Sequence, residues 1–275
     1  MGTLVEDHLR HLRRRNLRPS TIEQRRRALV RLGRSHDLAR LATEDIEDWL
    51  DRRDLQPEGR ATEISHLRGF YRWAVAEGRL EKDPTIKLVR PKVAKRLPRP
   101  IPEGDLAMAV ELAPWPIRAM LMLAAFAGLR AIEIAGLCGE HLHLDQGVLL
   151  VAEGKGGGMS SVPIPPSLVA VLRDLPASGP CFRLQDGRQT KAHNASHWCN
   201  RYLHSLGIPH TLHSLRHRYG TQAYIATGRD IRATQELLRH ATPVSTAIYT
   251  WVDPGRLAES VAKIPTIGTQ ERLPW

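Results

Sequence analysis

The sequence has 275 residues, with 40 Lys and Arg against 29 Asp and Glu, which gives a net charge of +11. Three scattered cysteines exclude a disulfide framework and a zinc ribbon, and an N-terminus without an apolar run excludes a secretory signal. The longest uncharged apolar stretch, residues 119–129, covers about half a membrane span, so we expect it to form a buried helix. A cytoplasmic protein of one large or two smaller domains is predicted.

Positive charge is concentrated in the first part of the chain. Residues 1–100 hold 24 basic and 15 acidic residues, whereas residues 101–275 hold 16 and 14. Localised positive charge predicts a surface that binds a polyanion, because each neutralised phosphate releases condensed counterions. A soluble basic protein without such a partner is the alternative.

Residues 1–82 show only helical periodicity. Ser20 and Glu23 fit a capping box, Thr43 fits an N-cap, and Gly78 ends the last helical pattern. The spacing of the apolar residues predicts four short helices with basic faces, packed as a compact bundle.

Residues 83–102 are predicted to form a linker. Five prolines prevent a regular helix, and no acidic residue follows Asp83 within the segment. An extended cationic strap of this kind suits the wrapping of a DNA duplex, although a plain linker is the alternative. Its six basic residues are Lys87, Arg90, Lys92, Lys95, Arg96 and Arg99.

Residues 103–275 combine helices with a little strand. Val148–Val151 and Ser161–Ile164 flank a glycine cluster and predict a β-hairpin. Helices are predicted at 103–112, 116–127, 166–174, 190–205, 213–226, 230–239 and 243–252. The apolar residues of the tail, 254–275, predict docking either on a neighbouring protomer or on the tail's own domain.

The glycine cluster, GKGGG at 154–158, does not fit a phosphate loop. A Walker A loop needs Ser or Thr after its Lys and then a helix, whereas Lys155 is followed by glycine and a predicted strand. Lys155 is also the only lysine between Lys95 and Lys191 in a chain that prefers arginine. Because arginine almost never gives up its proton, this lone lysine indicates a proton donor.

The stretch HTLHSLRHRYGTQAY, residues 210–224, allows three interpretations: a metal site, a phosphate grip or plain surface. His213 and His217 have the four-residue spacing of metal ligands, but Ser214 stands where zinc hydrolases carry Glu. No acidic residue within the stretch could complete a ligand set, so we expect no metal. The phosphate interpretation places His213 and Arg216 on one helical face.

Two other stretches support the phosphate interpretation. AGLRAIEIAGL (127–137) presents Arg130 and Glu133 after a helix break, and LLRHATPVSTAIYTWV (237–252) presents His240 and Tyr249. Taken singly, these residues could be a surface ion pair, a helix C-cap and a half-buried aromatic. These separate explanations do not account for the order of the residues along the chain, which is Arg–Lys–His-x-x-Arg–His–Tyr.

Together the motifs resemble those of the tyrosine recombinases of the phage integrase and Xer type, and DPTIKLVRPK resembles the family's interdomain linker. The resemblance implies a mainly α fold in three parts. These are an N-terminal helical core-binding domain that binds DNA (1–82), the basic linker (83–102), and an α+β catalytic domain with a small β-sheet and a C-terminal tail (103–275).

The resemblance also implies a role for each motif residue. Tyr249 is the nucleophile, Arg130 and Arg216 clamp the scissile phosphate, Lys155 protonates the leaving 5′-oxygen, His213 and His240 assist proton transfer and hydrogen-bond the phosphate, and Glu133 supports the site. No cofactor or metal is implied, because the arginines supply the positive charge. The implied partners are double-stranded DNA with short inverted-repeat core sites, a homotetramer on two such sites, and an accessory directionality factor.

The chain departs from the family pattern in three places. Arg239 stands where the family usually has Gly, and no basic residue follows Lys155 within GGMSS. The first core-binding helix is predicted to begin within a few residues of Met1, so we expect no further N-terminal arm-binding domain. The last departure favours either a compact integrase or an Xer-like dimer resolvase. A catalytically silent DNA-binding protein of the same fold is an alternative that the complete set of catalytic positions disfavours. A type IB topoisomerase is disfavoured by the linker and the bundle.

Overall fold

The computed structural model describes residues 2–93, 97–152, 158–240 and 242–251. The chain divides into two compact units, residues 1–95 and 96–275, each with its own hydrophobic core. Across the described ranges, every helix is too short or too polar to span a bilayer.

The N-terminal unit is a bundle of four helices, which confirms the prediction from periodicity. The helices are α1 (Gly2–Arg14), α2 (Pro19–Gly33), α3 (Thr43–Asp51) and α4 (Pro57–Ala76). Their apolar faces meet in a core in which Leu9, Leu32 and Ile46 are fully buried. The buried Tyr71 donates its hydroxyl proton to the carbonyl of Leu38 at 3.0 Å, which ties α4 to the loop before α3.

Two helix starts differ from the capping predictions. Helix α2 begins at Pro19, so Ser20 lies inside its first turn and does not cap it. Proline suits the first helical position, because the N–H that it lacks would have no helical partner there. Helix α3 begins at Thr43 and has Ala42 at its N-cap position. The Thr43 hydroxyl donates instead to the carbonyl of Pro84 at 2.8 Å.

The C-terminal unit packs its helices around α6 and carries a small antiparallel sheet. The helices are α5 (Glu103–Leu112), α6 (Ile117–Phe126), α7 (Ala131–Ala135), α8 (Pro166–Leu172), α9 (Ala192–Ser205), α10 (Leu212–Ala226) and α11 (Ile231–Leu238). The strands are β1 (Leu142–His143), β2 (Val148–Ala152) and β3 (Met159–Pro163), in the order β1-β2-β3. Residues 119–125 are all buried, so the apolar stretch forms a core helix as predicted.

The predicted hairpin is confirmed, with Leu149 opposite Val162 in β2 and β3. Strand β1 was not predicted, because two residues are too few to show alternation. The predicted helix at 243–252 is wrong, since this stretch forms two 3-10 helices, Pro243–Ser245 and Ala247–Trp251. β-Branched residues at every second position of this stretch weaken α-helix propensity. The fold is nevertheless mainly α with a small sheet, as the resemblance implied.

His8 of α1 is buried in the core of the N-terminal unit. Its ring centroid lies 5.3 Å from that of Phe70 and 4.8 Å from that of Trp73. Neither ring nitrogen has a hydrogen-bond partner among the described residues. Burial, together with the nearby charges of Arg25 and His11, lowers the pKa of His8 to about 4.

We predict that the N-terminal unit loses stability on acidification. The unfolded chain protonates His8 near pH 6.5, whereas the folded chain does so only near pH 4. As the pH falls between these values, the free energy of unfolding should decrease by about 2 to 3 kcal/mol. Urea unfolding followed by tryptophan fluorescence measures this change. His8→Leu should remove this part of the pH dependence, and an unchanged dependence in that variant would contradict the prediction.

Candidate active site

Arg130 is placed by a turn between α6 and α7 that requires glycine. Gly128 has a φ of +59°, and a Cβ there would lie 2.3 Å from the ring of Tyr219. Arg130 directly precedes α7, and its backbone N–H donates to Glu133 Oε2 at 2.7 Å. Its Nη1 donates to Glu133 Oε1 at 2.6 Å, and the side chain remains 37 % exposed. The turn therefore presents an oriented guanidinium with surface available to a ligand.

Arg216 of α10 lies beneath the same turn and is 2 % exposed. Its Nη1 donates to the carbonyl of Gly128, and its Nη2 donates to the carbonyl of Leu238 at 2.7 Å. Burial and the positive charge of Arg130 lower the pKa of Arg216 to about 10, so it stays protonated at neutral pH. The two carbonyl groups engage both terminal nitrogens but not all five N–H donors of the guanidinium, so donors remain for a ligand.

Glu133 is the shared counter-ion of three arginines. Besides its contacts with Arg130, its Oε2 lies 3.0 Å from Arg239 Nη2 and 3.8 Å from Arg216 Nη1. Burial raises the pKa of Glu133, but the three positive charges and the N–H of Arg130 outweigh it, so the pKa lies below its usual value. The ionised carboxylate holds the three cations together against their mutual repulsion.

Arg239 makes the turn after α11 where the resemblance led us to expect glycine. Its backbone is left-handed, with φ 53° and ψ 45°. Its Nη2 donates to the carbonyl of Gly128 and to Glu133 Oε2, both at 3.0 Å. Its own carbonyl accepts from Arg130 Nη2 at 3.2 Å. The sequence marked Arg239 only as a departure from a pattern, whereas the structure makes it part of the arginine cluster (Arg130, Arg216 and Arg239 around Glu133).

Three histidines flank the arginine cluster. His213 and His217 lie one turn apart on α10, with ring centroids 4.4 Å apart. His240 follows the turn made by Arg239, and its Nδ1 lies 2.9 Å from Thr246 Oγ1. Burial and the charges of the arginine cluster lower the pKa of His240 to about 4. Partial desolvation and the charges of Arg216 and Arg130 also lower the pKa of His213, although its side chain remains exposed. Neutral imidazole therefore prevails at pH 7, which leaves a ring nitrogen able to accept a proton.

Tyr249 lies in the second 3-10 helix, packed against α10 and 1 % exposed. Gly220 makes room for its ring, since a Cβ there would lie 2.3 Å from Tyr249 Cζ. The hydroxyl lies 3.3 Å from His217 Nδ1, and the Tyr249 ring is nearly parallel to that of His240 at a centroid distance of 6.5 Å. Burial raises the pKa of Tyr249, and the arginines of the cluster oppose this only in part.

The structure brings together most of the residues that the sequence singled out. These are Arg130, Glu133, His213, Arg216, His240 and Tyr249, whereas Lys155 lies outside the described residues. The sequence did not identify Arg239 or His217 as members of the site. The position of His217 one helical turn after His213 was noted in the sequence, but only as the spacing of a metal pair. In the described part of the chain, no three His, Cys, Asp or Glu side chains are grouped to hold a metal.

The predicted linker contains both exposed and packed residues. Exposed basic residues are Lys87, Arg90, Lys92 and Arg99, whereas Lys95 and Arg96 lie outside the described residues. Leu88 is 3 % exposed, and Arg68 of α4 donates to its carbonyl and to that of Thr85. The segment up to Leu88 therefore packs on the N-terminal unit. Arg68, Arg72 and Arg90 line a shallow cleft of that unit.

Comparison with known proteins agrees with this geometry. Residues 105–256 match the profile of the "Phage integrase family", and residues 5–78 match "Phage integrase, N-terminal SAM-like domain". The chain is 32 % identical to "Tyrosine recombinase XerC" of Yersinia pestis over 279 residues, which cover 92 % of this chain and 91 % of that one. It is 38 % identical to "Tyrosine recombinase XerD" of Lacticaseibacillus casei over 208 residues, covering 68 % and 70 % of the two chains.

A solved structure of similar fold is a lambda integrase dimer bound to a COC′ core site. Its TM-score is 0.72 at 17 % identity, over 90 % of this chain and 76 % of that one. Identity at this level supports the fold alone. The family profile, in contrast, covers more than half of the chain and contains the arginine cluster, the histidines and Tyr249. The chain therefore belongs to the phage integrase family of tyrosine recombinases, which are site-specific DNA strand transferases.

Proposed function

We propose that this recombinase cuts and rejoins DNA through a 3′-phosphotyrosine intermediate formed on Tyr249. One observation carries the proposal: Tyr249 packs on α10, the helix that carries Arg216, close enough for the charges of Arg216 and Arg130 to act on its phenol, and these two arginines share the counter-ion Glu133. The phosphodiester gains negative charge as the tyrosine attacks. Preoriented guanidinium donors bind its non-bridging oxygens more strongly as that charge develops, which lowers the barrier.

Proton transfer assigns roles to the remaining groups. Burial keeps the pKa of Tyr249 above its usual value, so the phenol has to lose its proton during the attack. The neutral histidines of the site are the available acceptors. Lys155 is proposed to protonate the leaving 5′-oxygen. The phosphotyrosine retains the energy of the phosphodiester bond, so that rejoining needs no external energy source.

Arg216→Lys should slow cleavage by roughly 10²–10³, although it keeps the charge. A lysine ammonium lacks the fork geometry with which the guanidinium donates to the carbonyls of Gly128 and Leu238 and also to a phosphate. A buried lysine amine, in addition, tends to lose its proton. Formation of the covalent protein–DNA adduct measures the rate. Arg218→Lys is the matched control on the same helix, because Arg218 pairs with Glu103 outside the site. Equal losses in both variants would contradict a specific role for Arg216.

Arg239→Gly should separate the stability of the fold from the function of the site. Glycine adopts the left-handed backbone without the strain of roughly 1–2 kcal/mol that other residues bear, so the melting temperature should change little. The site loses one cation and Glu133 loses one partner, so cleavage should slow about tenfold. Arg229→Gly, at another left-handed arginine, is the control. A wild-type cleavage rate in Arg239→Gly would show that the ion pair is dispensable.

We further propose the domain roles and partners of the chain. The bundle (1–82) and the exposed basic residues of the linker (83–102) bind double-stranded DNA with short inverted-repeat core sites, and residues 103–275 carry the catalysis. One Tyr249 cuts one strand, and the recombination of two duplexes requires four strand exchanges. Four protomers therefore assemble on two sites. A lambda integrase tetramer bound to a Holliday junction, at TM-score 0.71 and 17 % identity, has the same fold. A cytoplasmic, nucleoid-associated location and an accessory directionality factor complete this proposal.

An Xer-like dimer resolvase is the second candidate, and the similarity to XerC and XerD proteins over most of the chain favours it. The two candidates differ in their products. A resolvase converts plasmid dimers that carry two core sites to monomers, whereas an integrase joins a circular DNA to a second replicon. Scoring both products with the same core site decides between them.

One experiment tests the proposed function by identifying both the DNA sequence of the core site and the residue that becomes linked to DNA. The protein is incubated with randomised duplexes that carry a nick, because a nick beside the scissile bond lets the short strand diffuse away and traps the adduct. Adducts that survive denaturation are isolated, their DNA is sequenced, and the modified peptide is identified by mass spectrometry. We expect an inverted-repeat core and a DNA-linked peptide that contains Tyr249. The absence of any adduct, or one on another residue, would reject the proposal.

A further inference from the structure

The structure gives His217 a contact with the proposed nucleophile. His217 is half-buried on α10, and its Nδ1 lies 3.3 Å from the Tyr249 hydroxyl oxygen, within hydrogen-bond distance. Three residues further along α10, Gly220 leaves the space that the Tyr249 ring fills, because a Cβ there would lie 2.6 Å from Tyr249 Oη. Helix α10 thus holds the tyrosine with its hydroxyl directed at His217.

The other two histidines of the site are placed differently. His240 has its Nδ1 2.9 Å from Thr246 Oγ1, and its ring lies nearly parallel to that of Tyr249 rather than presenting a nitrogen to the hydroxyl. The ring of His213 packs edge-on against His217 at a centroid distance of 4.4 Å. In the described part of the chain, His217 is the histidine within hydrogen-bond distance of the Tyr249 hydroxyl.

The groups around His217 keep its ring neutral. His213 and Arg216 face it from its own helix, and Tyr249 faces it from the 3-10 helix, with the ring of His240 nearly parallel to the tyrosine ring at a centroid distance of 6.5 Å. Burial, then His213 and Arg216, lower the pKa of His217 to about 4. The ring nitrogen is therefore unprotonated at pH 7 and free to accept a proton.

We infer that His217 is the catalytic residue that accepts the proton of the Tyr249 hydroxyl during DNA cleavage, an inference that rests on the proposed function. As the bond from Tyr249 Oη to phosphorus forms, the O–H bond breaks and its proton moves to His217 Nδ1. The bond from phosphorus to the 5′-oxygen breaks, and that oxygen takes a proton from the general acid proposed at Lys155. Rejoining reverses each transfer, so both protons return to the groups that held them.

His217→Asn tests this role, because the amide keeps a polar partner near the position of Nδ1 but cannot hold a proton. Single-turnover adduct formation is measured from pH 6 to pH 9 on the trapped core site. We expect wild type to be nearly independent of pH, and the variant to be about 10²-fold slower at pH 7. The deficit should shrink with rising pH, because ionised tyrosine needs no base. His204→Asn, at an exposed histidine of α9, is the control and should match wild type.

A second measurement changes the proton donor, the phenol of Tyr249, instead of the proton acceptor His217. Trifluorotyrosine at position 249 has a lower phenol pKa and should restore much of the lost rate to His217→Asn at pH 7. If the rate deficit of His217→Asn does not depend on pH, His217 has a structural role. If the variant cleaves as fast as wild type or faster, the contact only holds Tyr249 in the DNA-free protein. Either result overturns the inference. If the asparagine variant does not fold, His217→Gln tests the same point. Wild type without any adduct would instead refute the proposed function.

Discussion

Tyr249→Phe should form no covalent protein–DNA adduct, because no other group of the site can replace the phenolic oxygen that bonds to phosphorus. The change removes one hydroxyl and leaves the ring in its space beside Gly220. The lost contact with His217 is a single hydrogen bond, so the free energy of unfolding should change by about 1 kcal/mol. Denaturing gel electrophoresis of protein on radiolabelled nicked DNA measures the adduct.

The control for this change is Tyr202→Phe. Tyr202 donates its hydroxyl to the carbonyl of Ala109 at 2.9 Å in the same unit, away from the arginine cluster. Tyr202→Phe therefore loses a comparable hydrogen bond but keeps Tyr249, the proposed nucleophile, and its adduct yield should match that of wild type. Retained adduct formation by Tyr249→Phe would assign the nucleophile to another residue, and gel shift on the same DNA should show that the variant still binds.

Lys155→Ala should slow cleavage by roughly 10²–10⁴, the usual contribution of a positioned general acid. A 5′-bridging sulfur in place of the scissile oxygen is a leaving group of much lower pKa, which departs without a proton. That substrate should restore the rate of Lys155→Ala. It should leave Arg130→Ala slow, because the developing charge on the non-bridging oxygens still lacks its donor.

The sulfur substrate also separates Lys155 from the nucleophile. Tyr249→Phe should stay inactive on both substrates, since an improved leaving group does not supply an attacking oxygen. If the sulfur substrate restores the cleavage rates of Lys155→Ala and Arg130→Ala equally, or restores neither, Lys155 is not the general acid. It would then either bind the phosphate or have no part in the reaction. The time course of adduct formation on the two substrates gives all of these rates.

Local patterns in the sequence carried much of the fold and of the site. Helical periodicity predicted the four helices of the N-terminal unit, and the alternation around the glycine cluster predicted the β2–β3 hairpin. The spacing of His213 and Arg216 within one helix, and the helix breaks beside Arg130 and His240, are also local. Such features depend on neighbours within a few residues, so they can be inferred without a tertiary structure.

The sequence was less informative where local preferences compete. Residues 243–252 show helical spacing, yet β-branched residues at every second position favour two short 3-10 helices. The prediction for Ser20 failed because Pro19 can take the first helical position, so that the helix begins two residues earlier than a Ser20 cap requires. In both places two local signals disagreed, and the sequence pattern did not show which of them would prevail.

The sequence by itself indicated most of the candidate site, namely Arg130, Glu133, His213, Arg216, His240 and Tyr249 and their order along the chain. Only the tertiary structure decided how they meet. Arg239 pairs with Glu133 across 106 residues, and His217 meets Tyr249 across 32. These contacts depend on how α7, α10, α11 and the 3-10 helix pack against one another, and no local propensity encodes that packing. The physical reason is that a long-range ion pair or hydrogen bond forms only after burial of the apolar faces has brought its partners together.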